Sequence, residues 1–285
     1  MAIMMSWGLN ISVVKALTAV LPDIWVGTLR MLVASAVLTC CLLARDRRLP
    51  RFERRQLLAL CGAGFLMVYA NQLLFVRGMH LSTATSAALI MALSPAITVV
   101  IASLFFRERM SWLQWLGIAL GLGGVALVIL NRSGASAHAA GLGELVVLSA
   151  MLTFVFGGAI VQRLARRLDP LVMGWAIYTS GTLMLLVHFA ITQDSLTAPL
   201  QAFDTRTWLL MIYSGVFGTA ISNVGWYHAI ATVGMARASL FFYWLPIFGM
   251  GFAALFLGEQ LSVWHAAGLL LVLSGTRLGT AAKLR

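Results

Sequence analysis

Residues 92–124 read ALSPAITVVIASLFFRERMSWLQWLGIALGLGG, and residues 243–275 read YWLPIFGMGFAALFLGEQLSVWHAAGLLLVLSG. Laid over each other at an offset of 151, they share Pro95/Pro246, Glu108/Glu259, Ser111/Ser262, Gly117/Gly268 and Gly124/Gly275. Ala102/Ala253, Leu104/Leu255, Phe105/Phe256, Leu120/Leu271 and Leu122/Leu273 complete ten identities in thirty positions. Apolar composition alone supplies chance Leu and Ala matches. It does not readily supply a Pro, a Glu and two Gly in one register. The chain is a doubled unit.

Composition names the solvent. Of 285 residues, 61% are hydrophobic and 10% charged, with a mean hydropathy of +0.93. A soluble domain carries about 25% charged residues to solvate its surface, so this chain is built for hydrocarbon. An apolar run of about 20 residues crosses a bilayer core. That ruler predicts ten transmembrane helices, at 2–20, 24–44, 56–76, 82–106, 112–131, 143–165, 170–192, 207–228, 235–257 and 263–281. The expected fold class is an all-α integral membrane protein, with five helices in residues 1–131 and five in 142–282. The first segment is short before Trp7, which fits a start at the membrane edge or a trimmed N-terminus. A cleaved signal peptide fits less well, because no basic stretch precedes the apolar run.

Twenty Lys+Arg against nine Asp+Glu give a net charge of +11. In a soluble protein that balance points to nucleic acid. Here the cations fall between apolar runs, as the positive-inside bias requires, so nucleic acid is excluded as a partner and the lipid bilayer takes its place. Arg45, Arg47, Arg48, Arg51, Arg54 and Arg55 follow helix two, Arg107 and Arg109 helix four, and Arg163, Arg166 and Arg167 helix six. Arg237 follows helix eight, and Arg277, Lys283 and Arg285 close the chain, whereas the opposite connections hold Arg77, Arg132 and Arg206. Both termini are therefore expected in the cytoplasm. Five helices per unit is odd, so the second unit enters from the opposite side. Accordingly Arg107-Glu108-Arg109 becomes Gly258-Glu259-Gln260, keeping the acid and losing both arginines. Inverted repeats are the architecture of secondary transporters, whose substrate site lies near the midplane between the halves.

The run from Ala92-Leu93-Ser94-Pro95 through Glu108 to Gly117 and Gly124, echoed by Leu245-Pro246 through Glu259 to Gly268 and Gly275, resembles the EamA signature of the drug/metabolite transporter superfamily. Trp7-Gly8-Leu9-Asn10 with Lys15 is similar to the opening of that family's first helix, and Leu29-Arg30 to the opening of its second. The resemblance covers essentially the whole chain. It implies export of amino acids or other small metabolites across a bacterial inner membrane, with exporters of the YddG type as relatives.

Pro95 and Pro246 each remove a backbone donor and predict mid-helix kinks, suited to gating. Glu108 and Glu259, beside Ser111 and Ser262, are expected to cap the next helix. The pairs Gly117/Gly121 and Gly275/Gly279 allow close helix approach. All nine acids fall in or near connections, so a carboxylate relay at membrane depth is not expected. Transport then runs down the solute gradient or couples through a histidine: His80, His228 and His265 sit near helix ends, and His188 falls within helix seven, towards its external end. Uncharged polar and aromatic residues at membrane depth are the candidate substrate-binding set: Trp7, Asn10, Tyr69, Gln72, Ser94, Asn223, Trp226 and Tyr243. Asn71-Gln72 and Ser222-Asn223 occupy equivalent repeat positions, which favours one shared cavity. Lys15 and Arg30 are the cations well inside predicted helices. Either they snorkel outward, or they attract a substrate carboxylate. Cys40, Cys41 and Cys61 have no ligand-like spacing, and no catalytic residue, metal site or cofactor is expected. Drug efflux by the same fold competes with amino-acid export, and an intramembrane enzyme or non-transporting scaffold stands as the reading from another class. The expected assembly is a monomer or weak dimer.

Overall fold

The computed structural model describes residues 1–46, 49–106, 111–131, 137–192 and 203–281, with side chains omitted at 102–106, 137–140, 236 and 279–281. Ten apolar helices follow one another among these residues. The first unit holds α1 (Ala2–Thr18), α2 (Asp23–Asp46), α3 (Arg54–Leu81), α4 (Ala84–Met91, then Ser94–Phe106) and α5 (Trp112–Leu130). The second holds α6 (Ala137–Leu164), α7 (Pro170–Ile191), α8 (Thr205–Val233), α9 (Met235–Ser239, a 3-10 turn at Leu240–Trp244, then Leu245–Leu257) and α10 (Val263–Ala281). Eight are long and apolar enough to cross a bilayer, and α1 and α10 are shorter. The expected all-α membrane fold is the fold found. Helices α3 and α8 run past the 20-residue ruler, to Leu81 and Val233, because Phe75, Val76, Met79 and Ile230 still pack inside the bundle.

The sequence repeat reappears as geometry. Helix segments begin at Arg54, Ala84, Ser94 and Trp112 in the first unit, and at Thr205, Met235, Leu245 and Val263 in the second, each 151 residues on. Both long helices carry a π-helical turn in that register, at Phe65–Ala70 and Val216–Ile221. Each turn follows a glycine pressed onto the other unit. A Cβ at Gly64 would stand 2.8 Å from the carbonyl oxygen of Ile177 in α7, and one at Gly215 would stand 3.0 Å from that of Arg30 in α2. Acidic residues cap both long helices. Glu53 forms a capping box with Gln56, and Asp204 accepts from the Thr207 amide. That amide holds the Asp204 carboxyl below the usual carboxylate range. Units meet along α5–α10, α2–α7 and α4–α9, pairs that the pseudo-two-fold maps onto themselves, and along α1–α9 and α3–α6.

Three expectations are corrected. The prolines do not kink continuous helices. Helix α4 breaks at Ala92–Leu93 and restarts at Ser94, and α9 changes from a 3-10 turn to α-helix at Leu245. Pro95 and Pro246 thus stand in first turns, where the missing N–H would have had no intrahelical partner. Glu259 caps a helix in the other unit rather than the one that follows it. Its carboxylate accepts from the amides of Ala84 and Thr85, at 2.8 and 3.0 Å, and from the Thr85 hydroxyl at 2.6 Å. The following helices start on their own serines, Ser111 with Gln114 and Ser262 with His265. Glu108, Arg107 and Arg109 lie outside the described residues. The third concerns the acids, all nine of which are expected in or near connections, and it fails at Glu144. Since α6 begins at Ala137, Glu144 lies inside it, 3% exposed, and accepts from the Ser82 hydroxyl at 2.7 Å.

The Glu259 contact ties the end of α9 to the start of α4 at one end of the bundle, so its loss should be measurable. Replacing Glu259 by Ala is expected to lower unfolding free energy in detergent by about 2 kcal/mol, the scale of charge-assisted bonds. Thr85→Val removes one of the three bonds and should cost about half as much. Equal melting of Glu259→Ala and the parent would show that the contact contributes nothing.

Candidate functional site

A small cavity, about 100 Å³, lies where the two units meet. It is lined from α1 by Trp7, Asn10 and Ile11, from α2 by Arg30, and from α3 by Met67, Asn71, Gln72 and Phe75. Met91 of α4, Phe154 of α6, Tyr178 of α7, Gly218, Thr219 and Asn223 of α8, and Phe242 and Leu245 of α9 close it. The paired helices α5 and α10 contribute nothing to this wall.

Arg30 is the centre of its polar side. The residue is 1% exposed. Its Nη1 donates to Gln72 Oε1 at 3.1 Å, and its Nε donates to the Ser214 hydroxyl, which donates onward to Asn10 Oδ1. On the other side Gln72 Nε2 donates to Asn71 Oδ1, and Asn71 Nδ2 donates to the carbonyl of Ala150 at 2.7 Å. One chain of hydrogen bonds therefore crosses α6, α3, α2, α8 and α1, and every acceptor in it is neutral. Among the described residues, no carboxylate pairs with Arg30. A buried cation without a counter-ion is costly, and an anion arriving in the cavity relieves it. Across from this chain, Asn223 Nδ2 donates to Thr219 O at 2.9 Å while its Oδ1 is buried without a partner. That oxygen is a free acceptor for a solute N–H.

The apolar side is aromatic. Trp7 meets Trp226 and Phe242 at ring-centroid distances of 5.5 Å and Phe154 at 5.9 Å, and Trp226 meets Phe242 edge-on at 5.1 Å. Four rings from α1, α6, α8 and α9 thus form one wall. A second, larger cavity, about 700 Å³, lies beyond Met67 and Phe154, between the start of α3, the second segment of α4 and the end of α6. Among the described residues, no group of three His, Cys, Asp or Glu side chains is placed to hold a metal ion.

The chain matches the EamA-like transporter family over residues 1–130 and 141–280. It belongs to that family. An uncharacterised transporter of Synechocystis is 27% identical over 279 residues, covering 90% of this chain and 81% of that protein. A probable terminal-alkyne amino-acid exporter of Streptantibioticus cattleyicolor is 29% identical over 230 residues, covering 81% of this chain and 74% of that one. A solved structure superposes with a TM-score of 0.70 at 16% identity, over 99% of this chain and 94% of that chain, a likeness of fold. This EamA-family chain is a multi-pass membrane transporter.

Of the residues the sequence singles out, Trp7, Asn10, Arg30, Gln72 and Asn223 come together around the cavity of the EamA bundle. Trp226 belongs to the aromatic wall, tilted against Trp7 and edge-on to Phe242, one layer back from the cavity itself. The others lie elsewhere. The Tyr69 hydroxyl pairs with His188 Nδ1 at 2.9 Å, Ser94 is buried at the α4 restart, and Tyr243 is half-buried in the 3-10 turn. Lys15 does not approach Arg30 and reaches along its helix to the end of a neighbour. Its Nζ donates to the carbonyls of Met79, His80 and Ser82, at the C-terminal end of α3, where a cation suits the helix dipole. Met67, Phe154, Tyr178 and Ser214 join the site without having been singled out for it. The break at Pro246, which turns Phe242 inward, is the signal that was available for that ring.

Proposed function

We propose that this transporter exports small metabolites, amino acids foremost, across a bacterial inner membrane by alternating access and without a coupling ion. The observation that carries this reading is Arg30, buried at the centre and bonded to neutral groups alone. A guanidinium so placed takes a carboxylate by paired N–H donation. The ammonium of the same solute meets neutral acceptors, Asn223 Oδ1 foremost, and the faces of Trp7 and Phe242. The exporter name of the Streptantibioticus relative agrees with this solute class. With both termini in the cytoplasm, the larger cavity faces the cytoplasm, and the Glu259 contact and the Lys15 bonds hold the external end closed. Pro95 and Pro246, at the restarts of α4 and α9, are the positions about which those helices swing. The four-ring wall favours efflux of flat apolar compounds as the second reading.

Purified protein in liposomes tests it. Amino acids should move down their own gradient without an imposed proton or sodium gradient. Strict dependence on either ion would sink the uncoupled mechanism. Gln72→Leu and Asn223→Leu should insert normally and lower transport by roughly tenfold each, the equivalent of about 1.4 kcal/mol of solute binding. If both variants transport like the parent after correction for expression, these amides only join helices, where such bonds average about 0.6 kcal/mol.

A further inference from the structure

The arginines that the positive-inside bias gathers at this end do not all face lipid headgroups: several line the larger cavity, and its charged rim is mostly of one sign. Among the described residues, Arg55, Arg163, Arg166 and Arg167 line it, with one acid, Glu53. Deeper in, the wall is apolar, with Leu66, Val155 and Ile160. Low-dielectric walls concentrate a field of one sign inside a cleft and raise the local concentration of oppositely charged solutes. The depth of this cavity touches the central one through consecutive residues, since Leu66 and Val155 face the larger space and Met67 and Phe154 the smaller. Met67 fills this partition by lying over Gly157, where a Cβ would collide with it. On the far side of Met67, the charged group lining the central cavity is again an arginine, Arg30.

We infer that the larger cavity is an anion-collecting antechamber, and that solutes enter the central site from it as carboxylates of net negative charge with an apolar body. This rests on the transport route proposed above and narrows its solute class, from amino acids in general to acidic or N-acylated ones and simple organic carboxylates. A net anion is drawn by the rim and handed to Arg30. A zwitterion gains little from the rim field, and a cation is repelled by it. The apolar depth accounts for the body of the solute, and the lack of acids among the described residues around the central cavity for its sign.

The field can be read without any transported solute, so its failure is separate from a failure of the transport reading. Ala159 lines the cavity, half-buried, one turn before Arg163. In a chain whose Cys40, Cys41 and Cys61 are alanine, Ala159→Cys offers one thiol to methanethiosulfonate reagents, one anionic (sulfonatoethyl) and one cationic (trimethylammonium-ethyl). In liposomes at low salt, the anionic-to-cationic rate ratio should exceed that of a free thiol by on the order of tenfold. Raising salt from about 0.01 M to about 1 M, which shortens the screening length from roughly 30 Å to 3 Å, should collapse the excess. So should Arg163→Gln with Arg166→Gln and Arg167→Gln, while lysine at all three positions should retain it. A ratio equal to that of a free thiol at low salt would mean that headgroup phosphates neutralise the rim, and would overturn the proposal. For the solute itself, uptake at low salt should fall in the order N-acetyl-L-alanine, L-alanine, L-alaninamide. Faster uptake of the amide than of the N-acetyl compound would overturn it as well.

Discussion

Replacing Arg30 by methionine is expected to leave the protein folded and inserted while lowering carboxylate transport by about a hundredfold. The two halves of that outcome have separate causes. Exchanging a buried charge for an apolar side chain of similar length is often neutral for stability, because the desolvation cost of the charge disappears with its bonds. Here the change also leaves Gln72 Oε1 without its donor, and Ser214 keeps its own bond to Asn10. The melting temperature should therefore move by only a few degrees. Solute binding loses the buried cation of the cavity wall, and loss of one partner of a desolvated charge pair costs at least about 2–5 kcal/mol. At about 1.4 kcal/mol per tenfold, 3 kcal/mol is roughly a hundredfold. Arg30→Lys should recover little, since an ammonium cannot reach Ser214 and Gln72 in the fork geometry and still meet a carboxylate. Uptake in liposomes, corrected for folded protein, reads the result. Transport within threefold of the parent would remove Arg30 from the site.

The second large effect concerns stability. In α10, a Cβ at Gly275 would stand 2.7 Å from the backbone nitrogen of Gly121 and 3.0 Å from Leu120 Cβ, both in α5. Across the same pair, a Cβ at Gly124 would stand 2.7 Å from the carbonyl oxygen of Gly268. Backbone cannot turn aside as a flexible side chain can, so Gly275→Val must push α5 and α10 apart. Overpacking by a methylene already costs about 1–3 kcal/mol, and loss of this contact should cost more than about 3 kcal/mol. Thermal melts in detergent and the inserted yield should both drop sharply. Gly251 in α9 supplies the control, because a Cβ there meets nothing within 4 Å. Gly251→Ala should be neutral or stabilising by up to about 1 kcal/mol, as for any helical glycine with open space. If Gly275→Val melts with the parent, these helices do not depend on close approach.

Much of the architecture was legible because lipid makes polar residues conspicuous. Ten apolar runs, the alternating arginines and the doubled Pro–Glu–Gly–Gly register are all strong signals in a sequence of this composition. The amides Asn10, Gln72 and Asn223 were visible for the same reason, since an amide in an apolar helix needs a partner or a cavity. What stayed hidden was whatever looks like its surroundings. Met67, Phe154 and Phe242 are apolar residues in apolar helices, and nothing in their spacing separates a cavity wall from a lipid face. Partners across the units were hidden too. Glu259 lies three residues before Ser262, so local chemistry pointed to the adjacent helix, whereas its bonds run to Ala84 and Thr85 across the bundle. Lys15, a cation inside a predicted helix like Arg30, bonds to carbonyls at the end of α3 instead of lining the cavity.

The two π-turns record history. A π-turn closes its hydrogen bond over one residue more than an α-turn, so gaining one while keeping the flanking turns takes the insertion of a residue. Had that insertion happened in only one unit, residues after it would be displaced by one against their counterparts. Yet Arg54 and Thr205, ahead of the turns, and Trp112 and Val263, well beyond them, are separated by the same 151 positions. An equal offset is what a turn already present in a single five-helix unit, before that unit was doubled, would leave behind. Such a unit would have met a second molecule of itself in opposite orientation, with its π-turn already facing the shared space.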